Sequence, residues 1–118
     1  MKTVVKYINS NYASKISLND VAESVFLNKT YLCQLFKKQL GIGFNEYLEN
    51  ARINKAKELM STTDDNITQI AIDVGYSSQS YFTKVFKKKT GMSPSYYKSV
   101  VSKNLSLLHS GNNVITDG

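Results

Sequence analysis

Residues 17–48 read SLNDVAESVFLNKTYLCQLFKKQLGIGFNEYL, and residues 66–98 read NITQIAIDVGYSSQSYFTKVFKKKTGMSPSYYK. The two stretches come into register when the chain is shifted by 49 positions, or by 50 after one extra residue in the second copy. The matches include Val21-Ala22 with Ile70-Ala71, Val25 with Val74, Phe36 with Phe86, Lys37-Lys38 with Lys87-Lys88, and Gly41 with Gly91. An internal repeat of this kind indicates that one small supersecondary unit occurs twice.

Each copy opens with residues typical of a helix N-terminus. Ser17 is followed three residues later by Asp20, and Asn66 is followed three residues later by Gln69. In such a capping box the two side chains bond reciprocally to free amide groups of the first helical turn. We therefore expect a short helix of about two turns at the start of each copy.

A second helix is predicted to follow in each copy. Asn28 in the first copy and Ser77-Ser78 in the second interrupt the apolar pattern and can cap the next helix. Gly41 and Gly91 can end these helices, because glycine readily adopts the left-handed conformation of a helix C-terminus. The predicted unit is a helix, a tight turn and a second helix.

Further helices are predicted around the two copies. Val4, Val5 and Ile8 give an amphipathic first helix, and Ser93-Pro94 predicts the start of a last helix. Phe44–Met60 is predicted to be a longer helix of 17 residues, roughly 25 Å long. Its apolar residues form two faces, one with Phe44, Tyr47, Leu48, Ala51 and Leu59 and the other with Ile53, Ala56 and Met60. We expect an all-α fold of about seven helices, with two helix-turn-helix subdomains joined by a long linker helix.

These elements suggest boundaries at 1–43 for the first subdomain, 44–61 for the linker helix, 62–101 for the second subdomain and 102–118 for a C-terminal tail. Residues 110–118 are polar and turn-prone without a helical period, which predicts a mobile tail. The only histidine, His109, has no partner nearby in sequence for acid-base or metal chemistry.

The composition excludes several classes of protein. With 118 residues, 15 Lys plus Arg and 9 Asp plus Glu, the chain carries a net charge of +6, which suits a nucleic-acid or anionic membrane partner. It contains no signal segment and no apolar run of the roughly 20 residues that span a bilayer, so we expect a cytoplasmic protein. Cys33 is the single cysteine, and nothing suggests a metal, a cofactor or a catalytic group. The chain is therefore not expected to be an enzyme.

The second helices of the two copies share an outward face. On a helical wheel at about 100° per residue, the apolar residues of each helix fall on one side. Four positions fall on the opposite side: Thr30, Cys33, Gln34 and Lys37 in the first copy, and Ser80, Thr83, Lys84 and Lys87 in the second. Neither helix contains an acidic residue, yet the two carry seven of the fifteen cations. Short polar side chains flanked by lysines suit a helix in the DNA major groove.

The outward face is also compatible with other functions. A single such helix is more often a solvated surface with solubilising lysines, but repetition at matching positions favours DNA. A helical interaction module with an acidic protein partner is an alternative function. An accessory domain of an enzyme is disfavoured because the chain has no catalytic constellation.

The segment GYSSQSYFTKVFKKKTGMSPSYYK, residues 75–98, resembles the signature of the AraC/XylS family of bacterial transcription regulators, and the similarity extends over about Lys2–Lys98. The resemblance implies two helix-turn-helix subdomains whose recognition helices, at about 29–40 and 79–90, enter successive major grooves. It also implies RNA polymerase as a second candidate partner and similarity to output domains of response regulators. No small-molecule ligand is expected within this chain.

The resemblance and the wheel together assign the site. The predicted base-facing residues are Thr30, Cys33, Gln34, Gln79, Ser80, Thr83 and Lys84. The predicted phosphate contacts are Asn28, Lys29, Lys37, Lys38, Ser78, Lys87 and Lys88.

The chain departs from the family or from its own repeat at two positions. Lys84 stands where the family commonly has arginine, so a point charge replaces a planar fork and guanine specificity is expected to be weaker. Phe26 stands where the second copy has Gly75. A positive φ costs more at Phe26, so we expect the first turn to have a different shape.

Overall fold

A computed structural model describes residues 1–101, which form helices and no strand. The helices are α1 Lys2–Asn11, α2 Leu18–Ser24, α3 Lys29–Leu40, α4 Phe44–Thr62, α5 Ile67–Asp73 and α6 Gln79–Thr90. Residues 94–101 form a further helix, α7, up to the end of the described part. The prediction of an all-α fold with about seven helices is confirmed. The predicted tail at 102–118, with His109, lies outside the described residues.

The contacts divide the chain into two units, Met1–Asn54 and Lys55–Gly118, the second described as far as residue 101. The division falls within α4, so the long helix contributes residues to each unit. One predicted helix pair lies in each unit, α2 with α3 in the first and α5 with α6 in the second.

The first unit is built around residues from four helices. Its buried cluster consists of Val4, Ile8, Val21, Ala22, Leu32, Phe36, Phe44 and Leu48. The Phe36 ring meets Phe44 edge-on at 5.8 Å between centroids, and Tyr47 lies at 5.9 Å from the same ring. Arg52 of α4 donates from Nε to the Tyr12 carbonyl at 2.7 Å and from Nη2 to the Ser14 carbonyl at 3.0 Å. These bonds fix the loop after α1 against α4.

The second unit has an aromatic core. Tyr76, Phe82, Phe86 and Tyr97 follow one another with ring centroids 5.4 to 5.6 Å apart. Apolar side chains complete its buried set: Ala56, Met60, Ile70, Ala71, Val74, Val85 and Pro94. The Lys98 ammonium group donates to the Asp65 carbonyl, which ties α7 to the loop before α5. In α4, Phe44 and Leu48 belong to the first unit's cluster and Tyr47 packs against it, whereas Ile53, Ala56 and Met60 are buried outside that cluster, in agreement with the two predicted faces. Ala51 and Leu59, also predicted on the first face, are half-buried and are not part of that cluster.

The predicted helix ends are largely confirmed. Ser17 and Asp20 form the full capping box, with bonds of 2.9 and 3.1 Å. Asn66 accepts from the Gln69 amide at 2.8 Å, but the Gln69 side chain donates to Asp73 instead of returning to Asn66. The second capping box is therefore only half formed, because the i,i+4 carboxylate offers a charged acceptor.

The remaining caps also agree with the sequence. Asn28 and Ser78 are the N-caps of α3 and α6, and the Ser93 hydroxyl oxygen accepts from the Tyr96 amide at the start of α7. Gly41 and Gly91 end α3 and α6 in the left-handed conformation, with φ of 76° and 80°.

The expectation of a different first turn is wrong. Phe26 has φ 58°, and Gly75 at the matching position has φ 108°, so both backbones take a positive φ. The amides of Phe26 and Leu27 donate to the carbonyls of Glu23 and Ala22, and the second turn forms the same two bonds one repeat later. This pair of bonds is the Schellman motif, which places a positive φ at the residue after the C-cap. The half-buried Leu27 packs on the core, so the turn keeps its shape without glycine.

Candidate nucleic-acid interface

The outward face of α3 is exposed as the wheel predicted. Thr30, Cys33 and Gln34 are exposed, while Leu32 and Phe36 on the opposite side are buried and Leu35 is half-buried. Hydroxyl and amide groups on one helix face can exchange hydrogen bonds with base edges.

The corresponding face of α6 differs in one respect. Ser80 and Lys84 are exposed, but Thr83 is half-buried and lies at the edge of the face. The opposite side is buried at Phe82, Val85 and Phe86, as predicted. The outward faces of α3 and α6 therefore use matching positions of the repeat but carry different side chains.

The lysines of α3 and α6 form the cationic part of the interface. Six of them are exposed, and none of the six makes an ion pair within residues 1–101: Lys29, Lys37, Lys38, Lys84, Lys87 and Lys88. Lys89 is half-buried. Because neither helix contains a carboxylate, the charge of these lysines is available to an external polyanion.

The N-caps of the two helices leave hydrogen-bond donors free. The Asn28 Oδ1 atom accepts from the amides of Thr30 and Tyr31 at 2.8 and 3.3 Å, and the Ser78 Oγ atom accepts from the Tyr81 amide at 3.2 Å. Both caps use oxygen lone pairs, so the Asn28 amide group and the Ser78 hydroxyl keep their protons. Each donor lies at the positive end of a helix, where an anion is favoured.

Gln79 is the first residue of α6, and its side chain contacts the preceding helix. The Thr68 hydroxyl of α5 donates to Gln79 Oε1, and both residues are exposed. Thr68 was not among the predicted site residues, because it lies 11 positions from Gln79 and meets it only when α5 and α6 pack together. No periodic or capping signal in the sequence marks such a pair.

Two tyrosines at matching positions of the repeat are exposed. Tyr31 is 52% exposed and Tyr81 is 55% exposed. The Tyr81 ring lies 5.8 Å from the Tyr76 ring at 51°, so it is packed on one neighbour and otherwise largely exposed.

The described residues offer few other sites. Within residues 1–101, no three His, Cys, Asp or Glu side chains come together in a way that could hold a metal ion. Cys33 is an exposed free thiol. No helix in the same range combines the length and apolar character needed to cross a membrane.

Two helix pairs, each with a cationic second helix free of carboxylates, define a DNA-binding protein of the helix-turn-helix class. Residues 21–99 match a family described as "Helix-turn-helix domain". The chain belongs to the AraC/XylS family of helix-turn-helix transcription regulators. The identification from the segment at 75–98 is confirmed.

Known proteins similar to the chain are regulators and their domains. The regulatory protein PocR of Salmonella typhimurium is 38% identical over 104 residues, covering 88% of this chain and 34% of PocR. The arabinose operon regulatory protein of Escherichia coli is 39% identical over 100 residues, covering 84% of this chain and 34% of the relative. The C-terminal domain of AraT, a response regulator from Geobacillus stearothermophilus, has a TM-score of 0.81 at 36% identity, covering 84% of this chain and 83% of that domain. The chain spans about a third of the length of the curated relatives it matches.

Family membership decides the function class. The chain is a DNA-binding domain of the transcription-regulator class, as the sequence predicted. Its family and relatives are DNA-binding regulators and not enzymes, which agrees with the expectation that it catalyses no reaction.

Proposed function

We propose that the chain binds an asymmetric double-stranded DNA site, with the recognition helices α3 and α6 in two successive major grooves. The observation that carries this proposal is the repeated face: exposed polar positions, six exposed lysines that make no ion pair within residues 1–101, and no carboxylate on either helix. A helix face that contacts only solvent has no physical reason to lack acidic residues, whereas a face that binds phosphates does.

The proposed contacts are of two kinds. Base edges are read by Thr30, Cys33, Gln34, Gln79, Ser80, Thr83 and Lys84. Phosphates are bound by Asn28, Lys29, Lys37, Lys38, Ser78, Lys87 and Lys88. Gln34 supports the first role, because an exposed amide can bond bidentately to adenine. The free donors of Asn28 and Ser78 support the second.

The wider role follows from similarity. AraT is described as a response regulator, and its C-terminal domain shares this fold, so we propose that the chain acts as the output domain of a regulator. RNA polymerase is the proposed protein partner, in keeping with the family resemblance. A regulator of bacterial genes must reach the chromosome, so we propose a cytoplasmic location. The division at 1–43, 44–61, 62–101 and 102–118 stays a proposal.

Selection from a random duplex library tests the proposal. We expect a motif with two unlike half-sites about 10 base pairs apart, one for each recognition helix. The five proposed lysine contacts to phosphate should give a slope of log affinity against log salt of about −4 or steeper. Selection of no motif, or a slope near zero, would contradict DNA recognition and favour a protein partner.

A further inference from the structure

The side chain of Gln79 does not face DNA as a free amide. It is the first side chain of α6, and its Oε1 atom accepts the hydrogen bond from the Thr68 hydroxyl of α5. The amide oxygen carries no hydrogen, so the hydroxyl is the donor in this bond and the oxygen is the acceptor. In this arrangement the oxygen end of the amide is turned toward α5, and the NH₂ group is turned away from it.

The orientation of an amide decides which base it prefers. Adenine offers an N7 acceptor beside an N6 donor, so a bidentate contact needs both the oxygen and the nitrogen of the amide. Guanine offers two adjacent acceptors, O6 and N7. An amide whose oxygen is held by Thr68 presents N–H donors, which match guanine and meet another donor on adenine.

The first unit has no equivalent hydrogen bond between its two helices. Asn19 occupies the position in α2 that Thr68 occupies in α5, and Lys29 matches Gln79 as the first residue of the recognition helix. No hydrogen bond joins Asn19 to Lys29, and an ammonium group has donors in every orientation. The bond between the two helices of a unit is thus particular to the second unit.

We infer that Thr68 is a positioning residue for base recognition. It holds the Gln79 amide so that its N–H donors select guanine over adenine at one position of the second half-site. The inference rests on the proposed function, because it requires α6 to lie in a major groove.

The experiment compares binding of duplexes that differ only at the base pair whose preference Gln79→Ala relaxes. The wild type should prefer guanine over adenine at that position. Thr68→Val keeps the shape of the side chain and removes the hydroxyl, so the guanine-to-adenine ratio should fall by roughly threefold to tenfold as the amide becomes free to rotate. Thr68→Ser restores a hydroxyl and should restore much of the ratio.

Controls separate positioning from a general effect on the fold. Asn19→Val makes the matched change in the first unit and should leave the ratio unchanged. In the Gln79→Ala background, Thr68→Val should have no further effect on the ratio, because the two residues act through one contact. Circular dichroism of each variant checks that the helices form, and Thr68→Ala provides a second variant without the hydroxyl.

The outcomes distinguish the inference from the proposed function. If the wild type binds all duplexes equally, the proposed function fails and the inference fails with it. If the wild type discriminates but Thr68→Val and Thr68→Ala keep the same guanine-to-adenine ratio, only the role of Thr68 is refuted. A fall in the ratio that persists in the Gln79→Ala background would also refute it, because the effect would not pass through Gln79.

Discussion

Replacing Phe26 by glycine should stabilise the first unit. Phe26 has φ 58° in the turn between α2 and α3, and its side chain is 95% exposed. Gly75 takes the matching place in the second turn, where the same two backbone hydrogen bonds form. The position therefore demands a backbone conformation that glycine adopts easily, and the phenyl ring gains little from packing.

Three contributions set the size of the effect. Relief of the left-handed conformation is worth about 1–2 kcal/mol for a residue with a Cβ atom. Glycine loses about 0.5–1 kcal/mol through the greater freedom of the unfolded chain. The 5% of Phe26 that is covered amounts to roughly 10 Å² of apolar surface, or about 0.3 kcal/mol. The net gain in unfolding free energy is about 0.5 kcal/mol.

Urea unfolding measures this gain, as a rise in the midpoint of a few tenths of a molar at an unchanged slope. Gly41→Ala is the mirror control, because Gly41 has φ 76° and a Cβ there would meet no atom within 4 Å. That variant should lose about 1 kcal/mol for conformational reasons alone. Phe26→Ala keeps the Cβ and removes the ring, so its midpoint should stay close to that of the wild type. If Gly41→Ala behaves as expected while Phe26→Gly lowers the midpoint, the turn is not strained and the reasoning is refuted.

Three predictions concern DNA binding. Lys87→Ala should weaken binding to all duplexes about equally and reduce the salt slope by about one, whereas Lys6→Ala, an exposed lysine on α1, should leave the slope unchanged. Gln34→Ala should relax base preference at one position by about 1–3 kcal/mol, and a selection that returns the parent motif would show that this face is assigned wrongly. Lys84→Arg should sharpen a guanine preference, because a planar fork replaces a point charge. Competition with duplexes that carry adenine at the same position tests it, and an unchanged ratio would contradict a base contact by Lys84.

Local signals made most of the fold predictable. Helix ends at Ser17, Asn28 and Gly41 depend on residues within one turn of each other, so the sequence contains the whole interaction. Apolar periodicity identified the buried sides of α3 and α6 for the same reason. Because the unit occurs twice, each of these local signals has a counterpart in the second copy.

Features that depend on tertiary structure could not be predicted. The positive φ at Phe26 follows from the need to bring Leu27 onto the core while closing the turn, which outweighs the preference of one residue. The bond from Thr68 to Gln79 exists because α5 and α6 pack together, and side chains 11 residues apart show no regular relation in sequence. The Gln69 side chain donates to Asp73, because this carboxylate is a charged acceptor one helical turn away. The sequence pattern at Asn66 and Gln69 alone predicts a complete capping box.

The two copies are alike at buried positions and different at several exposed positions, and the free-energy cost of substitution explains this pattern. Apolar positions such as Phe36 and Phe86 are fully buried, and a change of volume there costs several kcal/mol, so they stayed alike. The outward positions cost little to change: Cys33 and Gln34 in one copy correspond to Thr83 and Lys84 in the other. Lysine contacts with phosphate carry no sequence information, so they fit either groove. Under the proposed function, the two recognition helices carry different base-facing residues on similar backbones, so the two half-sites should not be interchangeable. We therefore expect a single chain to bind its site in one orientation. Reversing one half-site should abolish the preference for that site over unrelated duplexes.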